Sequence, residues 1–281
     1  MNPAFLTILI AALFTGLTAQ QRYSKLLEHT PGVVSYTFRN DFAKDVPGTL
    51  DRVKALGFDN IEFSNLFGQT STALRAMLDA RGMVCTSYGT SYDALMNKPE
   101  DVIRDAKALG AEFVRVAWIP HDKPMDLALA QKTVADFNAF GKKLRENGLT
   151  FCYHNHGFEF TPYGKGTYFD YIVQNTNPEY VSFEMDILWV FHPGHNPAKL
   201  LKKYPDRFRL MHVKDLKKGV KGDLSGQTPP ENDVTLGTGQ LNLPKILKAA
   251  RKTKIKHFYI EDENPNSFQQ VPNSLAYLKS L

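Results

Sequence analysis

From residue 30 onward the chain alternates short apolar, β-branched runs with longer stretches in which apolar residues recur every three or four positions. The short runs are Gly32–Phe38 (GVVSYTF), Asn60–Phe63 (NIEF), Met83–Tyr88 (MVCTSY), Phe113–Trp118 (FVRVAW), Thr150–His156 (TFCYHNH), Tyr180–Asp186 (YVSFEMD), Phe208–Lys214 (FRLMHVK) and His257–Glu261 (HFYIE). They read as eight strands. The intervening pattern predicts helices over Thr49–Leu56, Ser71–Ala80, Glu100–Leu109, Leu127–Glu146, Pro197–Lys203 and Leu243–Lys252. Gly57 follows the first of these and Asn147-Gly148 closes the fourth, as helix ends require.

Strands that alternate with helices imply parallel βαβ units, and strands apolar almost throughout imply a sheet covered on both faces. Eight such units in about 250 residues fit a single (β/α)8 barrel of the α/β class, here a catalytic domain over residues 30–281. A doubly wound open sheet fits less well, because no GxGxxG follows the first strand. The stretch Gly219–Gly239, rich in Gly, Pro and Asp, follows a strand and would be a loop over the catalytic face.

The 281 residues, 43% hydrophobic and 22% charged, suffice for one sizeable core. Net charge is +5 and pI about 9.0, but the lysines (Lys199, Lys202 and Lys203; Lys245, Lys248, Lys252, Lys254 and Lys256) read as solvated helix faces. No nucleic-acid partner is expected. The apolar run Phe5 to Ala19 breaks into Gln20-Gln21-Arg22 and is short for a membrane span. Residues 1–19 are therefore expected to be a signal peptide, although Met1-Asn2-Pro3 supplies no Lys or Arg. The protein would then be exported, periplasmic or secreted, with no stable membrane anchor. Cys85 and Cys152 each fall inside a strand and are expected as buried free thiols.

In such a barrel the chemistry sits where strands end. Strand two ends with Glu62; strand five with His154 and His156, then Glu159; strand six carries Glu184 and Asp186; strand seven His212, Lys214 and Asp215; strand eight Glu261 and Glu263. Residues two apart share a face, which pairs His154 with His156, Glu184 with Asp186, and His212 with Lys214. One buried His or Glu alone is ordinarily a satisfied core group. Asp186, His212 and Glu261 pointing inward from successive strands would cost several kcal/mol of desolvation unless a cation compensated. Oxygen donors with one or two imidazoles suit Mn²⁺ first, with Mg²⁺, Co²⁺ or Zn²⁺ also fitting.

These residues resemble a known family, the xylose-isomerase-like TIM barrels, also called sugar phosphate isomerases/epimerases. The likeness covers roughly residues 30–281. It is carried in order by YHNHGFEF (Tyr153 to Phe160), FEMDILW (Phe183 to Trp189), Tyr204-Pro205, LMHVKD (Leu210 to Asp215), LGTG (Leu236 to Gly239) and YIEDE (Tyr259 to Glu263). The resemblance implies a metal held by Glu, Asp, His and Glu from strands five to eight. Asp186, His212 and Glu261 match that pattern. Many members have Glu-Asn-His where this chain has His154-Asn155-His156, so either His154 ligates or Glu159 reaches in, or the metal is weak or absent. Ketose epimerases of the family carry a His where this chain has Trp189, and a strand-three His is replaced by the Tyr88-Gly89-Thr90 region. A related exported branch, similar in its YHNH and DxxW motifs, includes enzymes acting on 3-keto-glycosides by elimination or hydration.

Isomerisation, epimerisation and elimination beside a carbonyl all begin with loss of the proton α to it, and a divalent cation stabilises the developing charge. The expected metal ligands are Glu159, Asp186, His212 and Glu261, with His154 as the alternative in strand five. The expected catalytic groups are His154, His156, Lys214 (polarising a substrate oxygen, or paired with Glu184 or Asp215) and Glu62 on a sugar hydroxyl. Trp189, Glu184 and Asp215 are expected against the substrate. The partner is a small-molecule carbohydrate, and a homo-oligomer is left open. Two other classes compete: a catalytically silent carbohydrate- or partner-binding barrel, and a phosphodiesterase resembling apurinic-site endonucleases, which needs a larger His/Asp/Glu cluster.

Overall fold

The structure, a computed structural model, describes residues 22–122 and 124–281; the expected signal peptide at 1–19 lies outside them. Eight parallel strands close a barrel: β1 Gly32–Val34, β2 Asn60–Phe63, β3 Val84–Thr90, β4 Phe113–Val116, β5 Thr150–His154, β6 Val181–Asp186, β7 Phe208–Val213 and β8 His257–Ile260. Each strand pairs with its sequence neighbours and β8 closes against β1, so the expected single (β/α)8 barrel is the fold.

Beyond a single α-helical turn at Arg39–Phe42, the helices are α1 Val46–Ala55, α2 Ser71–Asp79, α3 Tyr92–Asn97, α4 Pro99–Leu109, α5 Leu127–Glu146, α6 Tyr168–Asn175, α7 Ile187–Phe191, α8 Pro197–Lys203, α9 Leu243–Ala250 and α10 Ser267–Ser280. Helix α1 starts before Thr49 because the Asp45 side chain accepts the Gly48 N–H and Pro47 suits a first turn. Four helices escaped the pattern. Helices α3 and α7 are short, α10 contains Pro272, and α6 begins with the aromatic run Tyr168-Phe169 and rests on a Thr167–Asp170 capping box. No helix among the described residues is long and apolar enough to cross a membrane.

Several strands stop sooner than the apolar runs suggest. The chain leaves β1 at Val34 and winds into a 3-10 turn over Ser35–Phe38, where the Ser35 hydroxyl accepts the Ser64 N–H at 2.8 Å. Strands β5, β7 and β8 end at His154, Val213 and Ile260, so His156, Lys214 and Glu261 lie just past the last paired residue.

Between barrel and helices, Phe137 and Phe140 of α5 pack on Phe151 and Tyr153. Inside the barrel Val34, Phe113, Cys152, Leu210 and Tyr259 form a separate apolar floor. Two residues further along their strands, Phe113, Cys152, Leu210 and Tyr259 are followed by Arg115, His154, His212 and Glu261 on the same inward face. Along each of these strands the interior thus changes from apolar to charged in one inward step. Cys85 and Cys152 are buried free thiols, and burial pushes the Cys85 thiol up to about 12.

Candidate active site

A cavity of about 710 Å³ opens at the C-terminal ends of the strands. At its base one atom each from His154, Asp186, His212 and Glu261, all four residues buried, lies within 4.8 Å of the others. Strand register produces this: Asp186 on β6 pairs with His212 on β7, while His154 on β5 pairs with Glu184, one inward position below Asp186. Beyond the end of β5, Asn155 continues the pairing with its side chain. Its amide donates to the Asp186 carbonyl at 3.3 Å, and the Asp186 N–H donates to Asn155 Oδ1 at 3.1 Å. Asp186 then splits its carboxylate. Oδ1 accepts the N–H groups of Leu188 and Trp189 at the start of α7, and Oδ2 faces the cluster.

His212 stands between two sets of groups. Its Nε2 lies 2.9 Å from Glu62 Oε1 and 3.2 Å from Glu184 Oε2. Its Nδ1 lies 2.9 Å from Glu261 Oε2, 3.1 Å from His154 Nε2 and 3.8 Å from Asp186 Oδ2. Burial alone would lower the His212 pKa, but Glu184, Glu261 and Glu62 hold it well above the usual imidazole range.

The residues fit a divalent cation. Two imidazoles and two carboxylates converge, Asp186 Oδ2 is buried without a hydrogen-bond partner among the described residues, and burial raises the Asp186 pKa. With a cation on Nδ1, the Nε2–H of His212 would donate to Glu62 and Glu184, the usual support for an imidazole ligand.

One layer lower, Glu62 and Glu184 face Arg115, whose Nε is 2.9 Å from Glu62 and 3.5 Å from Glu184. Gly89 makes room for this guanidinium, since a β-carbon there would come within 2.7 Å of Arg115 Nη2.

Several expected roles need correction. The Glu159 carboxylate is buried away from the cluster; it accepts the Tyr153 hydroxyl and the His156 N–H (2.9 and 3.1 Å), because the chain turns into a 3-10 segment after Gly157. His154 stands in the strand-five corner instead. Glu62 and Glu184 are fully buried in the lower layer, behind the cavity wall. Asp215 accepts the N–H groups of Gly237 and Gly239 (both 2.9 Å), Leu216 and Leu241, which makes it the organiser of the LGTG turn and not a substrate contact. Lys214 is an ion-paired group, but its partners are Glu263 (2.8 Å), Glu261 (3.3 Å), Asp233 (3.5 Å) and Asp186 (3.8 Å), not Glu184 or Asp215. His156 and Trp189 do line the cavity, with rings stacked at 5.7 Å.

Sequence reasoning missed Arg115, Asn155, Tyr36 and Trp118; of these, Arg115, Tyr36 and Trp118 line the cavity. Arg115 carried a signal, a charge at inward parity in the apolar strand FVRV. The loop after β7 covers the site as expected, through Gly226, Gln227 and Thr228. Gly226, at φ +68°, passes so close to Gly157 that its missing side chain is what lets the loop reach His156.

An inosose dehydratase from Mesomycoplasma hyopneumoniae strain 7448 is 33% identical over an alignment of 302 residues, covering 92% of this chain and 97% of that protein. A solved sugar phosphate isomerase/epimerase from Parabacteroides distasonis ATCC 8503 has a TM-score of 0.72 at 22% identity, covering 90% of this chain and 97% of its own. A solved IOLI protein with a bound zinc atom has a TM-score of 0.70 at 13% identity, over 89% and 96%. The model of the xylose isomerase-like TIM barrel family matches residues 50–281, and the chain belongs to that family.

Proposed function

We propose that this protein is a divalent-metal-dependent enzyme that removes the proton α to a carbonyl of a sugar or keto-sugar, with elimination or addition of water on a 3-keto-glycoside favoured over isomerisation or epimerisation. The observation that carries this is the convergence of His154, Asp186, His212 and Glu261 at the base of a cavity that also presents His156. The dehydratase name of the 33%-identical relative supports the elimination chemistry. A bound cation, Mn²⁺ first and Zn²⁺ next given the two imidazoles, would supply Lewis-acid stabilisation of charge developing on the substrate oxygen.

The chain's own groups do the rest. Burial and the neighbouring His154 keep the His156 pKa well below the usual range, so the ring is neutral. A neutral imidazole in the cavity lining is suited to accept the α-proton, through the ring edge that faces the cavity and not through Nδ1, which is buried. Burial alone would raise the Glu261 pKa, but Lys214 and His212 hold it well below the carboxylate range, so it remains anionic as a ligand. Trp189 forms an apolar wall. Export through residues 1–19 belongs to the same proposal and would place the enzyme among unphosphorylated sugars.

The test is solvent exchange. Mn²⁺-loaded protein incubated with free ketoses and keto-glycosides in D2O should place deuterium at the α-carbon, and Asp186→Ala should remove both the exchange and most of the bound metal. Protein that takes up no divalent metal, or exchange that survives Asp186→Ala, would overturn the proposal. Sugar binding without exchange would favour the silent carbohydrate-binding barrel.

A further inference from the structure

The cavity continues beyond the four-group cluster to a wall built on Trp118. This side chain follows β4 and is 38% exposed while lining the cavity. It is nevertheless fixed, stacked on His121 at 4.9 Å and edge-on to Phe158 at 4.9 Å and His156 at 5.2 Å. A large aromatic held by three rings but left uncovered inside a cavity is a built surface, unlike a scattered exposed apolar residue. The His156 ring lies 4.9 Å from that of His154, so two short steps lead from Trp118 to the cluster.

Size and charge narrow what would lie there. The cavity of about 710 Å³ is large for one sugar ring and falls well inside the range of about 300–1,000 Å³ that holds drug-sized ligands. Its lining includes the acids Asp93, Glu261 and Glu263, of which Glu261 and Glu263 are paired with Lys214. Among the described residues the one Lys or Arg in that lining is Arg115, whose guanidinium is engaged by Glu62 and Glu184. With no uncommitted Lys or Arg in that lining, a phosphate finds no cationic side chain to pair with there, whereas a neutral polyol needs none.

We propose that Trp118 is the platform of a second subsite, which takes the second ring of an uncharged glycoside while the first ring meets the cluster. This rests on the sugar reading above and specifies its substrate class. Trp118 and Trp189 are the two tryptophans of the chain, so Trp189→Phe leaves Trp118 as the sole indole reporter.

The emission of the Mn²⁺-treated variant is titrated with cellobiose, maltose, trehalose, glucose and glucose 6-phosphate. At least one disaccharide should saturate the signal at a concentration about tenfold below glucose, and glucose 6-phosphate should bind more weakly than glucose. In calorimetry Trp118→Ala should bring that preference to within about twofold, while Trp118→Phe, which keeps a ring, retains part of it. Glucose binding as tightly as every disaccharide, a preference that survives Trp118→Ala, or tighter binding of the phosphate would overturn the subsite. Metal content measured on the same samples reports separately on the metal reading, so the two failures are distinguishable.

Discussion

Glu62, Glu184 and Arg115 fill the barrel one layer below His154, Asp186 and Glu261, and His212 touches both sets. Each layer gathers buried acids, and each has three or more groups near enough to grip one ion. They differ in where the positive charge comes from. The lower layer contains its own cation: Arg115 and His212 overcome the burial that would raise Glu62 and hold its pKa down, while burial and Glu62 push Glu184 up to about 7. The upper layer has Lys214 only at its edge, 3.3 Å from Glu261 and 3.8 Å from Asp186, and nothing positive between its four donors except a proton on His212. A buried acidic cluster whose charge the chain supplies only in part is the one that a bound cation would fit.

The sharpest way to break this comparison is Arg115→Met. Removing the built-in cation strands two fully buried acids, so the variant should lose about 3–5 kcal/mol in urea denaturation, with Mn²⁺ unable to restore it. Mn²⁺ that rescued the variant would mean the two layers are interchangeable.

Glu159 is a third case, a buried carboxyl with no cation at all. Burial raises it from 4.5 to about 7, against the lowering effect of the Tyr153 hydroxyl and the His156 N–H. A folded pKa raised above the unfolded one gives stability that is full below about pH 4.5 and lost as pH rises through about 7. Glu159→Gln has no such proton to lose. The stability of the variant relative to the wild type should therefore rise by up to about 3 kcal/mol between pH 4.5 and 8. A difference that stays flat across that window in urea titrations would show that Glu159 is ionised as easily as a surface acid.

Much of this layering was legible in the chain before folding. The eight apolar runs give strand order because a parallel strand is covered on both faces. Parity along FVRV, TFCYH, FRLMH and HFYIE places Phe113, Cys152, Leu210 and Tyr259 under Arg115, His154, His212 and Glu261. Parity fails where the strand stops. Glu159 follows the turn at Gly157, and its direction is set by Tyr153 and the His156 N–H, local contacts of the turn that no period encodes. Asp215 sits at the opposite parity to Lys214 and was misplaced because its partners are backbone N–H groups more than 20 residues away. Helix α6 was hidden by aromatic residues that favour strands, against a capping box that decided for helix.

Asp186→Asn sharpens the upper side. In metal-free protein the change removes an acid from a crowded, partly orphaned set, so stability should hold or rise slightly. With Mn²⁺ at a hundredfold excess over its Kd, the wild type should gain about 2.7 kcal/mol that the variant does not. A thermal melt with and without Mn²⁺ reads both. A variant destabilised without metal would place Asp186 with the self-compensated acids of the lower layer.

Asn155→Ala asks whether charge or geometry defines the upper site, because it alters no charge. Asn155 is fully buried, and its amide pairs the Asp186 N–H and carbonyl across the gap where β5 has ended. Its loss should cost about 1–2 kcal/mol of stability from two unpaired buried backbone groups. It also frees Asp186 to swing with the first turn of α7, which should weaken Mn²⁺ binding by about tenfold, as loss of an outer-shell partner does. Arg115 and the lower acids should be untouched, so the urea slope and the pH response assigned to Glu159 remain as in the wild type. If calorimetry finds Mn²⁺ affinity unchanged in a folded Asn155→Ala protein, the four donors hold their positions through charge alone, and the strand-end clamp is structural without serving the site.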